Sequence, residues 1–240
     1  MQLLIVCSPG PIASSVVWFG LRTRQREISR DAATYSLTYG AIGCALSVLL
    51  VENLARVLFE VTGLGYLRVG EPGRSVTLFV PLLMFPFMEE ALKLIGPARA
   101  VSRGESKTNE ETAKLGYLSG AGFSSSICLI KTVILFTKGE LARQFLPQLL
   151  ENISYTAIHI GTTGLLSRSL SQVILEGKSI SFLLRNYILM VSAHVIYQLI
   201  LASGSMIGVD ADVCLIVFAV FFSLALALFL RRQDSGCSQP

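Results

Sequence analysis

Residues 75–100 read SVTLFVPLLMFPFMEEALKLIGPARA, an apolar stretch that carries two adjacent glutamates and a lysine. A helix needs about 20 apolar residues to cross a hydrocarbon core about 30 Å thick, and this stretch is long enough. Glu89, Glu90 and Lys93 would then lie inside the bilayer, where each ionisable group costs roughly 2.5–3.5 kcal/mol on the lenient insertion scale. Lys93 follows the glutamates by four and three residues, so on a helix it can pair with either. Pro86, just before the pair, is expected to kink this helix.

The rest of the chain is similarly apolar. Of its 240 residues 52% are hydrophobic and only 15% are charged, whereas soluble domains are about 25% charged. Apolar blocks lie at about 1–21, 33–62, 76–98, 115–137, 147–170, 186–205 and 209–230. The pattern predicts an all-α polytopic membrane helix bundle with about seven transmembrane helices. We expect residues 1–232 to form a single integral membrane helical domain and 233–240 to form a disordered cytoplasmic tail.

Basic residues are unevenly distributed between the two sides of the predicted bundle. Of the 20 Lys and Arg, thirteen fall in the loops of one side, four in those of the other, and three inside predicted spans. Because cytoplasmic loops are enriched in Lys and Arg, we predict a multi-pass protein with its N-terminus outside and its C-terminus in the cytoplasm. Short basic loops next to a lipid bilayer give no reason to expect a nucleic-acid partner. The five cysteines include no CxxC pair, which argues against a zinc–thiolate cluster.

The two histidines of the chain both lie in apolar spans. His159 is in SYTAIHIGTTGLL and His194 is in ILMVSAHVIYQLI. The predicted topology places both near the membrane midplane, at the depth of Glu89 and Glu90. Two imidazoles and two carboxylates at one depth could ligate Zn²⁺ and leave a position for water. These four residues are the catalytic candidates, with Glu90, His159 and His194 as the metal ligands.

Three further residues are candidates for supporting roles around this site. Thr163 follows His159 by four residues and Gln198 follows His194 by four, so each would lie on the face of its histidine. Such a partner can fix the tautomer and orientation of a ligand histidine. Lys93 would support the carboxylates. The structural alternative is an ion cluster on one span, with histidines and polar residues that hydrogen-bond neighbouring helices.

In these motifs the chain resembles the PrsW family of intramembrane metalloproteases. MEEALK corresponds to the family's EExxK, GAGF at 120–123 to the start of its GxGFAxxEN, and 159–163 to its HxxxT. Residues 194–198 approximate HxxxN or HxxxD, and the opening PGPIASSVVWFGLRTRQ is similar to the family's first span and basic loop. The resemblance implies a metal-dependent protease that cleaves membrane-embedded protein substrates, with Glu89 or Glu90 as the general base.

The chain departs from the family at one motif, because the Glu-Asn after GxGF falls on Ile127 and Cys128. The same superfamily includes the seven-span scaffold subunit of γ-secretase, which is similar in topology, in a YLSG segment and in two later intramembrane histidines. The alternative is therefore a catalytically silent scaffold within a membrane protein complex. CAAX prenyl endopeptidases share the paired glutamates, but their EExxxR spacing would require a basic residue at Leu94, so they rank third.

Overall fold

The computed structural model describes the backbone of residues 2–24, 28–62 and 74–207, and the side chains of residues 2–18, 28–50 and 84–200. These residues form eight helices and no strand, which confirms the all-helical fold class. The helices are α1 Gln2–Cys7, α2 Pro9–Arg24, α3 Arg30–Thr62, α4 Arg74–Lys93, α5 Ile95–Ser102, α6 Asn109–Thr137, α7 Phe145–Glu176 and α8 Ile180–Ile207.

Among the described residues, three helices are long and apolar enough to cross a membrane by length and composition, at Arg30–Leu50, Asn109–Thr137 and Ile180–Ile200. The membrane character of the chain is thus supported, while the count of seven spans and the orientation stay predictions. The predicted span at 209–230 and the tail at 233–240 lie outside the described residues.

Two of the predicted spans are each divided into two helices. The first, at 1–21, is interrupted at Ser8, and α2 begins with Pro9, a residue favoured at the first position of a helix. The third, at 76–98, is interrupted at Leu94, whereas α4 runs continuously past Pro86. Pro97 has no N–H to offer the Lys93 carbonyl four residues earlier. That carbonyl instead accepts a hydrogen bond from the Ser119 hydroxyl at 2.6 Å, which ties α4 to α6.

Helix α6 is the central element, packed mainly against α7 and α3. Its glycines allow backbones to approach closely on two faces. A Cβ added to Gly120 would lie 2.4 Å from the His159 carbonyl oxygen of α7, and one added to Gly122 would lie 2.1 Å from the Leu37 carbonyl oxygen of α3. Neither position has room for a side chain.

The described helices bury polar side chains and expose apolar ones. α7 buries Gln148, Asn152, Ser154, Thr156, His159, Thr162, Thr163, Ser167, Ser169 and Ser171. α8 packs on α4 and α7 and exposes Leu184, Ile188, Leu189, Ile196 and Leu199. Apolar surface of this extent suits contact with lipid tails, and the buried polar groups supply bonds between helices.

The loop between α5 and α6 offers a test of orientation. Ser102 is exposed, whereas Ser106 is 1% exposed and its hydroxyl contacts the Thr112 hydroxyl at 2.8 Å. If this loop is cytoplasmic, a membrane-impermeant maleimide should label Ser102→Cys in inside-out vesicles and not in intact cells. Ser106→Cys is the matched control and should react slowly from either side because it is buried. Labelling of Ser102→Cys in intact cells but not in inside-out vesicles would contradict the predicted orientation.

The α6–α7 contact can be tested through Gly120. Gly120→Ala should lower the thermal unfolding midpoint in detergent, because overpacking a tight site costs about 1–3 kcal/mol and the obstruction here is backbone. Gly43→Ala is the control, since its Cβ would meet nothing closer than Leu92 Cβ at 3.4 Å, an ordinary contact. Equal midpoints for the two variants would contradict the close approach.

Candidate metal centre

Three helices bring the charged and histidine residues together in the interior. α4 contributes Glu89, Glu90 and Lys93, α7 contributes His159, and α8 contributes His194. Glu89 is 2% exposed and the other four are fully buried. Behind them, Phe123 of α6 lies with its ring centroid 4.7 Å from that of His159. The structure thus brings together the four predicted catalytic residues.

Glu90 is held by hydrogen bonds from two helices. Its Oε1 accepts from Lys93 Nζ at 2.6 Å on α4 and from Thr162 Oγ1 at 2.9 Å on α7. His194 Nδ1 of α8 lies 3.3 Å from the same oxygen. A buried ion pair compensates its desolvation only when further hydrogen bonds accompany it, and Glu90 meets this condition. Of the two possible partners for Lys93, the described contacts select Glu90.

The two imidazoles contact each other and an aromatic neighbour. The ring centroids of His159 and His194 are 4.8 Å apart, with the planes near perpendicular at 83°. Tyr155 packs edge-on against both, at 4.4 Å from His159 and 5.8 Å from His194. Lys93 Nζ lies 2.8 Å from His159 Nδ1. The orientation of the His159 ring is therefore fixed by Lys93 on one edge and by aromatic rings on its sides.

Glu89 faces the other edge of His194. Its Oε2 lies 3.4 Å from His194 Nε2, although the two atoms are not aligned as a hydrogen bond. His194 thus lies between the two carboxylates, with Nδ1 towards Glu90 and Nε2 towards Glu89.

Glu89, His159 and His194 form a buried group that could hold a metal ion. Each offers one ligand atom, and these atoms all lie within 4.8 Å of one another. Two imidazole nitrogens and one carboxylate are a donor set of catalytic zinc sites, which keep a fourth position open for water. The site also fits an ion through its unpartnered atoms: Glu89 Oε2, His159 Nε2 and His194 Nε2 have no hydrogen-bond partner within the part of the chain that the structure describes. Buried polar atoms seldom lack one.

This group differs from the predicted ligand set in one residue, since Glu89 takes the place of Glu90. The reason is geometric, because it is the ligand atom of Glu89 that lies within 4.8 Å of those of both histidines. Oε1 of Glu90 already carries the bonds from Lys93 and Thr162, whereas Glu89 has no lysine bonded to it among the described contacts.

The two predicted supporting residues on α7 and α8 make no hydrogen bond to their histidines among the described contacts. Thr163 is buried, and its hydroxyl has no hydrogen-bond partner among the described residues. The neighbouring Thr162 reaches Glu90 instead. Gln198 has no hydrogen bond to His194 among the described contacts, and the two ring nitrogens of His194 face Glu90 and Glu89. Of the three residues predicted to support the site, Lys93 alone contacts an imidazole in the described contacts.

Sequence reasoning missed Thr162, Tyr155 and Phe123. Tyr155 precedes His159 by four residues, so the spacing rule that selected Thr163 would have found it if applied in both directions. Phe123 belongs to the GAGF segment, but nothing in the sequence indicated that its ring packs on His159.

The positions that depart from the PrsW motif lie in the apolar core. Ile127 is 8% exposed and belongs to a cluster with Tyr155 and Ile158. Cys128 Sγ lies 3.8 Å from the Thr156 hydroxyl. α6 therefore brings no carboxylate to the site from these two positions.

No protein-family model, curated protein or solved structure matches this chain. The resemblance to PrsW proteases stays a prediction.

Metal binding can be measured on the purified chain in detergent. We expect it to bind Zn²⁺. Glu89→Gln and His194→Gln should each weaken this binding by more than about tenfold, because loss of a residue that only supports a ligand already costs about that much. The assay is competition with a chromophoric chelator, supported by elemental analysis. Glu151→Gln is the control, because Glu151 lies on α7 with His159 but pairs with Lys131 at 2.7 Å, outside the group. An equal loss in the control would contradict the assignment.

Proposed function

We propose that this chain is an intramembrane metal-dependent protease that cleaves membrane-embedded protein substrates. The observation that carries the proposal is the burial of Glu89, His159 and His194 with ligand atoms within 4.8 Å of one another, beside a second carboxylate. The order of the motifs along the chain, which resembles that of PrsW proteases, adds support.

The proposed membrane setting has seven spans, with the N-terminus outside and the C-terminus in the cytoplasm. Its support is the uneven distribution of Lys and Arg and the apolar outer face of α8. A site enclosed by helices of this kind would be reached by substrates from within the membrane.

Glu89, His159 and His194 would hold Zn²⁺, which when bound polarises a carbonyl and acidifies water. The chain's own residues would manage the proton. Glu90 Oε2 is buried and lacks a hydrogen-bond partner among the described residues, while Oε1 is held by Lys93 and Thr162. Glu90 would accept a proton from the attacking water at Oε2 and return it to the amine nitrogen that leaves when the peptide C–N bond breaks. Lys93 and Thr162 would keep that oxygen directed into the site.

A catalytically silent scaffold subunit of a membrane protein complex is the second candidate. Two observations favour it. Ile127 and Cys128 lie in the core where the family motif has Glu-Asn. Lys93 also bonds both Glu90 and His159, an arrangement that by itself fastens α4 to α7. In that case the same cluster would serve helix packing.

Substitution of the proton carrier separates enzyme from scaffold. Glu90→Gln keeps the shape of the side chain, so a protease should lose about 10²–10⁴-fold in cleavage of a co-expressed membrane substrate while the chain still accumulates and folds. Glu151→Gln, which removes an intramembrane carboxylate outside the site, should leave cleavage near the parent level. If the chain is a scaffold, Glu90→Gln should instead reduce its stability or its complex, and no substrate should accumulate.

The Ile127 position gives a further test of the same proposal. Ile127→Glu restores the acidic residue of the family motif. If it raises cleavage or metal affinity, the chain is a degenerate enzyme. If it has no effect beside an active parent, the two glutamates and two histidines suffice.

A further inference from the structure

Lys93 places an ammonium group inside the candidate metal centre. The side chain is fully buried, and its Nζ lies 2.6 Å from Glu90 Oε1, 2.8 Å from His159 Nδ1 and 5.1 Å from the Phe123 ring centroid. A positive group thus already occupies the space between a site carboxylate and a site imidazole. The proposed protease function does not account for this contact with His159.

The contact determines which nitrogen of His159 carries hydrogen. An ammonium group has three hydrogens to donate and no lone pair, so in this bond Lys93 donates and His159 Nδ1 accepts. The hydrogen of the neutral imidazole then lies on Nε2. That nitrogen is buried and has no partner among the described residues.

A histidine can bind a metal only through a nitrogen whose lone pair is free. While Lys93 holds His159, the lone pair of Nδ1 is taken by the ammonium and Nε2 carries hydrogen, so neither nitrogen is available. The positive charge of Lys93, whose Nζ lies 2.8 Å from His159 Nδ1, would also repel a divalent cation bound to the same imidazole in a buried site. Lys93 and a metal ion are therefore alternatives at His159.

We propose that Lys93 regulates the candidate centre by competing with the metal for His159, so that the bond from Lys93 and a metal ion at His159 exclude each other. The inference rests on the proposed function for the identity of the cation. Metal binding through His159 requires Lys93 to release Nδ1, and the flexible four-carbon stem of a lysine permits such a movement. Glu90 at 2.6 Å remains available to the ammonium when the bond to His159 is broken.

Removal of the ammonium should raise metal affinity. Lys93→Met keeps an unbranched apolar stem without a donor, and we expect the purified variant to bind Zn²⁺ at least about tenfold more tightly than the parent, a difference of about 1.4 kcal/mol. Lys131→Met is the matched control. This variant also removes one lysine from an intramembrane ion pair. The Nζ of Lys131 lies 4.2 Å from the centroid of the Tyr155 ring, but Lys131 does not bond His159 in the described contacts.

The control should show a much smaller change than Lys93→Met. Unchanged or weaker Zn²⁺ binding by Lys93→Met would overturn the proposal, because Lys93 would then be a support of the site. An equal gain of Zn²⁺ affinity in Lys131→Met would also overturn the proposal, since the gain would then come from removing any nearby positive charge and not from freeing His159.

A second measurement uses the unsubstituted chain and does not depend on the folding of Lys93→Met. Nitrogen NMR of the metal-free protein with labelled histidine should show His159 as the tautomer with hydrogen on Nε2, its signal assigned by comparison with His194→Gln. Hydrogen on Nδ1 in the metal-free protein would overturn the proposal.

The cleavage assay separates this inference from the proposed function. Tight Zn²⁺ binding by Lys93→Met, without cleavage by any variant, would support competition at His159 and contradict the protease. Cleavage by a parent that resists chelators, with no gain of Zn²⁺ binding in Lys93→Met, would overturn the competition and leave peptide hydrolysis in place.

Discussion

The ion pair between Lys93 and Glu90 is the interaction on which the interior of this bundle depends. Both side chains are fully buried, and charges removed from water are tolerated only when partners surround them. The partners come from other helices: Thr162 and His159 of α7 and His194 of α8. Satisfying two charges on α4 thus fixes where α7 and α8 must lie.

Small residues make that arrangement possible. Gly120 lets the α6 backbone reach the backbone of His159. Ser119 beside it donates a hydrogen bond to the Lys93 carbonyl, which Pro97 leaves without a backbone donor. One turn of α6 therefore supports both the lysine and the imidazole that contact each other at the centre. The position of the histidine pair depends as much on these small side chains as on the charges.

The sequence predicted the helical class and the convergence of the site, because hydrophobic blocks fix the depth of each residue in a span. Depth does not fix the rotation of a helix about its axis. Adjacent residues differ by about 100° around the axis, and so Thr162 and not Thr163 reaches the site. The same limit explains why Glu89 joins the metal group in place of Glu90. The bond between Lys93 and His159 joins residues 66 positions apart, a contact that no local pattern contains.

The enzyme and scaffold hypotheses use the same residues, and they differ in what the unpaired atoms mean. A cluster that serves packing alone gains stability when every polar atom is bonded, since each buried unsatisfied group costs about 1–3 kcal/mol. Within the described residues, both glutamates and both histidines keep one side-chain atom without a hydrogen bond. Three of these four atoms belong to Glu89, His159 and His194, whose ligand atoms lie within 4.8 Å of one another. Three unpaired atoms on one such group favour a site that binds a ligand over one that only holds helices together.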